Sequence, residues 1–133
     1  MEEYRMAVGK QLAEFSFKST SVTYTATGTG GTAQANMEGS AKGEGLTGAA
    51  LGTLTAVSDA PGAKSGTCTW TGASYLDSGE ELSSRAAGTW ERIGTHKWRI
   101  RAVTYFSDGR TMAADGKLDL ASRSFTGTLN EWS

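Results

Sequence analysis

One property limits what this chain can fold into. In stretch after stretch, from Leu12 to Trp132, apolar and polar side chains alternate residue by residue, with little of the three-to-four spacing of a helix. In an extended strand successive side chains point to opposite faces, so each stretch carries one apolar row and one polar row. The segment His96 to Phe106, "HKWRIRAVTYF", sets Trp98, Ile100, Ala102, Thr104 and Phe106 against Lys97, Arg99, Arg101, Val103 and Tyr105. Clusters of Gly, Asp and Ser separate the stretches, and strand-and-turn logic then gives about eight strands. In order they are "LAEFSFKSTSVTYTA", "TAQANMEGSAK", "TGAALGTLTAV", "TCTWTGASYL", "ELSSRAAGTWERI", "HKWRIRAVTYF", "TMAADGKLDL" and "FTGTLNEW".

The linkers between these stretches are short, whereas a parallel crossover needs a dozen or more residues. Neighbouring strands should therefore pair antiparallel. A meander of this size avoids exposed sheet edges most simply by closing on itself. The expected fold is all-β, a single antiparallel up-and-down barrel over residues 1–133, with a two-sheet β-sandwich as the alternative. A weak echo places Gly-Thr ahead of an apolar side chain at Gly52-Thr53-Leu54, Gly66-Thr67-Cys68, Gly88-Thr89-Trp90 and Gly127-Thr128-Leu129, as strand glycines at barrel bends would. "EEYRMAVGKQLAEF" could form an amphipathic turn, but Gly9 interrupts it and favours a lead-in to the first strand.

Parity decides which face turns inward. Leu82, Ser84, Ala86, Gly88 and Trp90 oppose Glu81, Ser83, Arg85, Thr89 and Glu91; Met112, Ala114, Gly116, Leu118 and Leu120 oppose Thr111, Asp115, Lys117 and Asp119; Phe15 and Phe17 oppose Glu14 and Lys18. Burying the charged rows would strand unpaired ions, so the Trp98 row belongs inside. That interior mixes large rings with many Ala and Gly. An eight-stranded barrel is either filled by side chains or holds one small ligand, and small residues that leave volume favour the second outcome. The candidate ligand-binding residues are Phe15, Phe17, Met37, Trp70, Trp90, Trp98, Phe106, Met112 and Phe125. Tyr24, Ser74, Tyr75, Ser84, Thr104, Asn130 and Glu131 are polar groups that could orient a ligand, depending on local bulges.

Other chemistry finds little support. Thirteen basic and fourteen acidic side chains give a net charge of −1, which supplies no case for nucleic acid or an anionic membrane surface. His96 and Cys68 are each the only residue of their type, so imidazole and thiolate metal sets cannot be assembled within one chain. No metal or cofactor is expected. His96 falls in a turn, where a solvated side chain is the ordinary reading, and Cys68 shares the inner row with Trp70, where it acts as a small hydrophobe. "GTGGTAQ" lacks the Lys-Ser/Thr of a phosphate-binding loop, and Glu80-Glu81 sits in a turn. Asp115 and Asp119 fall on the outer face, where Arg99 and Arg101 could offset them across the sheet. No apolar run is long enough to span a bilayer, and "MEEYRMAVGK" lacks the apolar segment of a secretory signal, so a soluble cytoplasmic protein is expected.

Serial hairpins around an aromatic lumen, over most of the chain, resemble the lipocalin-like barrels, including allene oxide cyclase-like and related small bacterial barrels. Lipocalins carry a Gly-x-Trp element on their first strand. Here Gly88-Thr89-Trp90 lies mid-chain, so the resemblance is architectural and assigns no single residue. It implies carriage of a small hydrophobic molecule, aromatic or fatty, or alternatively cofactor-independent isomerase, cyclase or lyase chemistry in the lumen. A third expectation is a structural unit, in which the outward Val103 and Tyr105 join two barrels as a homo-oligomer.

Overall fold

A computed structural model of the protein describes residues 8–132, and they form one closed barrel. The strands are β1 (Val8–Thr27), β2 (Gly30–Gly43), β3 (Gly48–Ser58), β4 (Ser65–Leu76), β5 (Glu81–Gly94), β6 (Lys97–Phe106), β7 (Thr111–Asp119) and β8 (Ser124–Trp132). Each pairs antiparallel with the next, and β8 returns to β1, so the up-and-down barrel is the architecture and the sandwich is not. The eight stretches marked by alternation each become a strand, with boundaries moved by a few residues. Residues 1–7, where a helical turn was one expectation, lie outside the described residues, and from Val8 onward the chain is strand.

Short connections follow from turn chemistry. The β1–β2 hairpin closes on Gly28 and Thr29, with Gly28 at φ 61°, a value that a two-residue hairpin requires at its first position and that glycine adopts without strain. The longest connection, residues 59–64, holds the only proline.

Inward and outward rows segregate as charge burial demands. Ile100, Ala102, Thr104 and Phe106 are buried and Trp98 is half-buried, whereas Tyr105 opposite them is 51 % exposed. On the outer face Arg99 clasps Asp115 through two hydrogen bonds of 3.0 and 2.6 Å, and Arg101 lies 3.8 Å from Glu91. Both pairs are partly solvated, so each adds at most about 1 kcal/mol. Among the described residues no buried side-chain nitrogen or oxygen lacks a partner.

One irregularity moves side chains between faces. In the β1–β2 ladder Ser19 pairs with Met37 and Ser21 with Asn36, leaving Thr20 as an extra residue in β1. Such a bulge reverses the parity of everything after it. Beyond Thr20 it is Val22 and Tyr24, rather than the odd-numbered residues, that share the inner row with Ala35 and Ala33. Asn36 fastens the bulge from outside: its Nδ2 donates to Ser21 Oγ at 2.9 Å, its Oδ1 accepts from Thr53 Oγ1 at 2.8 Å, and its carbonyl accepts from Thr20 Oγ1 at 3.2 Å. Asn36→Ala removes the first two of these exposed bonds and is expected to lower stability by about 1 kcal/mol, read as a lower urea midpoint with an unchanged slope.

The two ends differ. At one, Leu46 in the β2–β3 connection is only 1 % exposed and plugs the barrel. Arg110 from the β6–β7 connection holds that plug down, donating to the carbonyls of Glu44 (2.9 Å) and Gly45 (3.2 Å) with its guanidinium 5.9 Å from the Phe106 ring centroid. Asp108 orients Arg110 with a 2.8 Å bond to Nε. Partial burial pushes the Asp108 carboxyl up, but the Arg110 backbone N–H, guanidinium hydrogen bond and charge outweigh it and hold the group below its ordinary value. At the other end β1 pairs with β8 only as far as Lys18 and Ser124, while the β1–β2 hairpin runs on to Thr27 and Gly30. Its overhang walls one side of an open mouth.

Candidate functional site

The lumen is not one empty tube, because its rings rest on its glycines. Trp70 of β4 lies against Gly52 and Gly72, where a Cβ would stand 2.4 and 2.8 Å from the indole. Trp90 of β5 crosses Gly66 so that its Nε1 donates to Val57 O on β3 at 3.0 Å. Phe125 occupies the space beside Gly116 in the same way. Trp70 is fixed further by a 3.1 Å bond from Nε1 to Ser84 Oγ. An indole N–H buried with a partner avoids a desolvation penalty of about 1–3 kcal/mol.

Four of these rings meet across the middle of the barrel. Phe15 packs on Phe125 edge-on at 5.0 Å between centroids, Phe17 lies 5.7 Å from Phe15, and Phe17 of β1 reaches Trp70 of β4 at 5.2 Å. The smallness of Gly52, Gly66, Gly72 and Gly116 is therefore used to seat rings and not, as expected, to leave volume beside them. Two spaces remain.

The lower space, towards the Leu46 plug, has a volume of about 80 Å³ and is bordered by Phe15, Phe17, Trp70, Phe106 and Phe125 among others. Ser74, Ser84 and Thr104 border it as well, together with Cys68, whose thiol burial pushes up to about 11. A thiol so placed stays protonated near neutrality and is no nucleophile. The upper space has a volume of about 320 Å³ and opens at the mouth. Met37, Leu54, Trp90, Trp98, Ile100 and Leu118 form its apolar wall, and Tyr24 leans over its rim beside Gly31. Leu54 and Ile100 border both spaces and make the layer between them.

No protein-family model, curated protein or solved structure matches this chain.

Of the nine side chains expected to bind a ligand, five border the lower space, while Met37, Trp90 and Trp98 border the upper one. Met112 borders neither and packs in the core at 2 % exposure. Among the polar candidates Tyr75 points outward at 43 % exposure, and Asn130 lies on the outer face with its amide on Ala113 O and Thr128 Oγ1. Glu131 is exposed and accepts from the Lys10 backbone N–H at 3.1 Å, so it is not an acid buried in the lumen. His96 is an exposed turn residue at φ 54°. No group of three or more His, Cys, Asp or Glu suited to a metal occurs among the described residues, and no helix there is long and apolar enough to cross a membrane.

Asp119, expected on the outer face opposite Arg99 and Arg101, ends β7 at the mouth and borders the chamber, and Leu120, expected on the inner row, falls beyond the strand end as an exposed turn residue. Sequence reasoning also missed Arg92, Arg123 and Pro61 there. Arg92 follows Trp90 by two residues and so falls on the inner row, a charge at an inward position that parity alone could have flagged. Arg123 sits in the β7–β8 turn and Pro61 in the β3–β4 connection. Loop residues carry no parity, and nothing in the sequence pattern aims them at the cavity.

Proposed function

We propose that the protein binds a small hydrophobic molecule in the upper space of its barrel. The observation that carries this reading is the contrast between the two ends: one is plugged by Leu46, and the other opens into a chamber whose walls are almost wholly apolar. Ligand sites are typically about 300–1,000 Å³ and mostly apolar with a few polar groups. The upper chamber, at about 320 Å³, falls at the small end of that range, and the lower, at about 80 Å³, falls well beneath it. A single- or two-ring aromatic, or a medium-length alkyl chain, fits this reading.

Binding is favoured here over catalysis in the lumen. Cofactor-free isomerase or cyclase chemistry needs an acid or base held against the substrate. The lower space offers hydroxyls and a protonated thiol, and the ionisable side chains of the upper one gather at its solvated rim.

The test uses N-phenyl-1-naphthylamine, a neutral apolar dye that emits strongly only out of water. Trp90 and Trp98 border the chamber, so saturable dye emission on tryptophan excitation, with tryptophan quenching, is expected. Dye emission that does not saturate, or tryptophan emission that does not change, would overturn the reading.

A further inference from the structure

The chamber is apolar in its depth but not at its rim, which two arginines and one aspartate border. Arg92, at the end of β5, and Arg123, in the β7–β8 turn, both border it. Of the four other arginines of the described residues, Arg99 is engaged on Asp115, Arg101 near Glu91 and Arg110 on Asp108, while Arg85 lies on the outer row of β5, away from the chamber. No ion pair joins Arg92 or Arg123 to any described carboxylate. The one acid on the same rim, Asp119, has Oδ1 turned to the Ala121 backbone N–H at 3.0 Å. Both arginines are held by backbone contacts that do not use their charge, Arg92 N–H on Lys64 O at 2.8 Å and Arg123 O accepting from Ser19 N–H at 2.8 Å.

We infer that the ligand is an amphiphile with one acidic head group, its apolar body in the chamber and its head at the mouth between Arg92 and Arg123. This rests on the reading of the chamber as a binding site and adds the class of molecule it takes. Two cations over an apolar recess match a carboxylate on a hydrocarbon body, and guanidinium presents several N–H donors in a fork that fits carboxylate oxygens. Both arginines are solvent-exposed, so each contributes modestly, roughly two- to fivefold in affinity, and the contribution is screened by salt.

Displacement of the bound naphthylamine dye by decanoate and by decan-1-ol, which share one alkyl chain, tests this. The ratio of their affinities in the unmodified protein is compared with the ratio in an Arg92→Gln/Arg123→Asn variant; Asn tolerates the positive φ of position 123 (55°). The expected result is a preference for decanoate over decan-1-ol that falls by roughly fivefold in the variant. A second measurement needs no variant: raising salt from about 0.02 to about 0.5 M should erode the same preference in the unmodified protein. If the dye binds but the ratio is unmoved by both changes, the head-group assignment is overturned and the chamber stands. If the dye does not bind at all, the functional reading fails first.

Discussion

Gly88→Val is expected to prevent the barrel from forming. Gly88 lies on the inner row of β5, paired with Cys68 of β4 and Ala102 of β6. A Cβ at this position would stand 2.0 Å from Arg101 O and 2.6 Å from Ala102 Cα. Both are backbone atoms of the neighbouring strand, so no rotamer change can clear them, and the β5–β6 rungs would have to part. Parting them opens the closed sheet and exposes a strand edge on each side. A loss above about 4 kcal/mol, near the whole stability of a small domain, is the expected scale. The variant should show no cooperative urea transition and no near-ultraviolet signal from its tryptophans. Ala87→Val, one residue away on the exposed face, should shift stability by no more than about 0.5 kcal/mol. A folded Gly88→Val protein would show that the strands do not approach as closely as described.

Ala35→Phe is expected to abolish dye binding while the barrel stays folded. Ala35 pairs with Val22 and Leu54 on the inner row and borders the upper chamber. A benzyl group there projects into a space of about 320 Å³ and takes up much of what a ligand would use. Because it enters open volume rather than packed core, its cost to stability should stay below the roughly 1–3 kcal/mol of overpacking. A loss of at least about tenfold in affinity, or about 1.4 kcal/mol, is expected. Gln34→Phe, on the same strand but facing outward, adds the same ring and should leave binding unchanged. Equal binding by both variants would place the dye elsewhere.

The strands were legible because alternation is local. Leu82 to Trp90 and Trp98 to Phe106 announce their faces within a few residues, and the cost of burying Arg99 or Asp115 fixes which face is inner. Closure was less legible, because the β1–β8 ladder joins positions such as Phe17 and Phe125 from opposite ends of the chain. Thr20 shows another limit. Nothing in "KSTSVTY" marks which residue will be extra, yet that residue decides whether Val22 and Tyr24 face the chamber. Parity puts Gly88 and Gly116 on the inner face, but that Trp70 and Trp90 fill the space beside Gly52, Gly66 and Gly72 follows only from the folded barrel. Leu46 shows the remaining limit: in sequence it is an apolar residue beside a "GEG" turn, and only the Arg110 hydrogen bonds to Glu44 and Gly45 reveal it as a plug.

The plug has a kinetic consequence. A vessel with one blind end loads and empties by a single doorway, so a newcomer cannot push an occupant out from behind. Exchange must then be sequential, and the escape rate of a bound dye should not depend on how much competitor surrounds it. The layer of Leu54 and Ile100 and the rings beneath it close the chamber a second time, so cutting the tether that Arg110 provides would not by itself turn the vessel into a conduit.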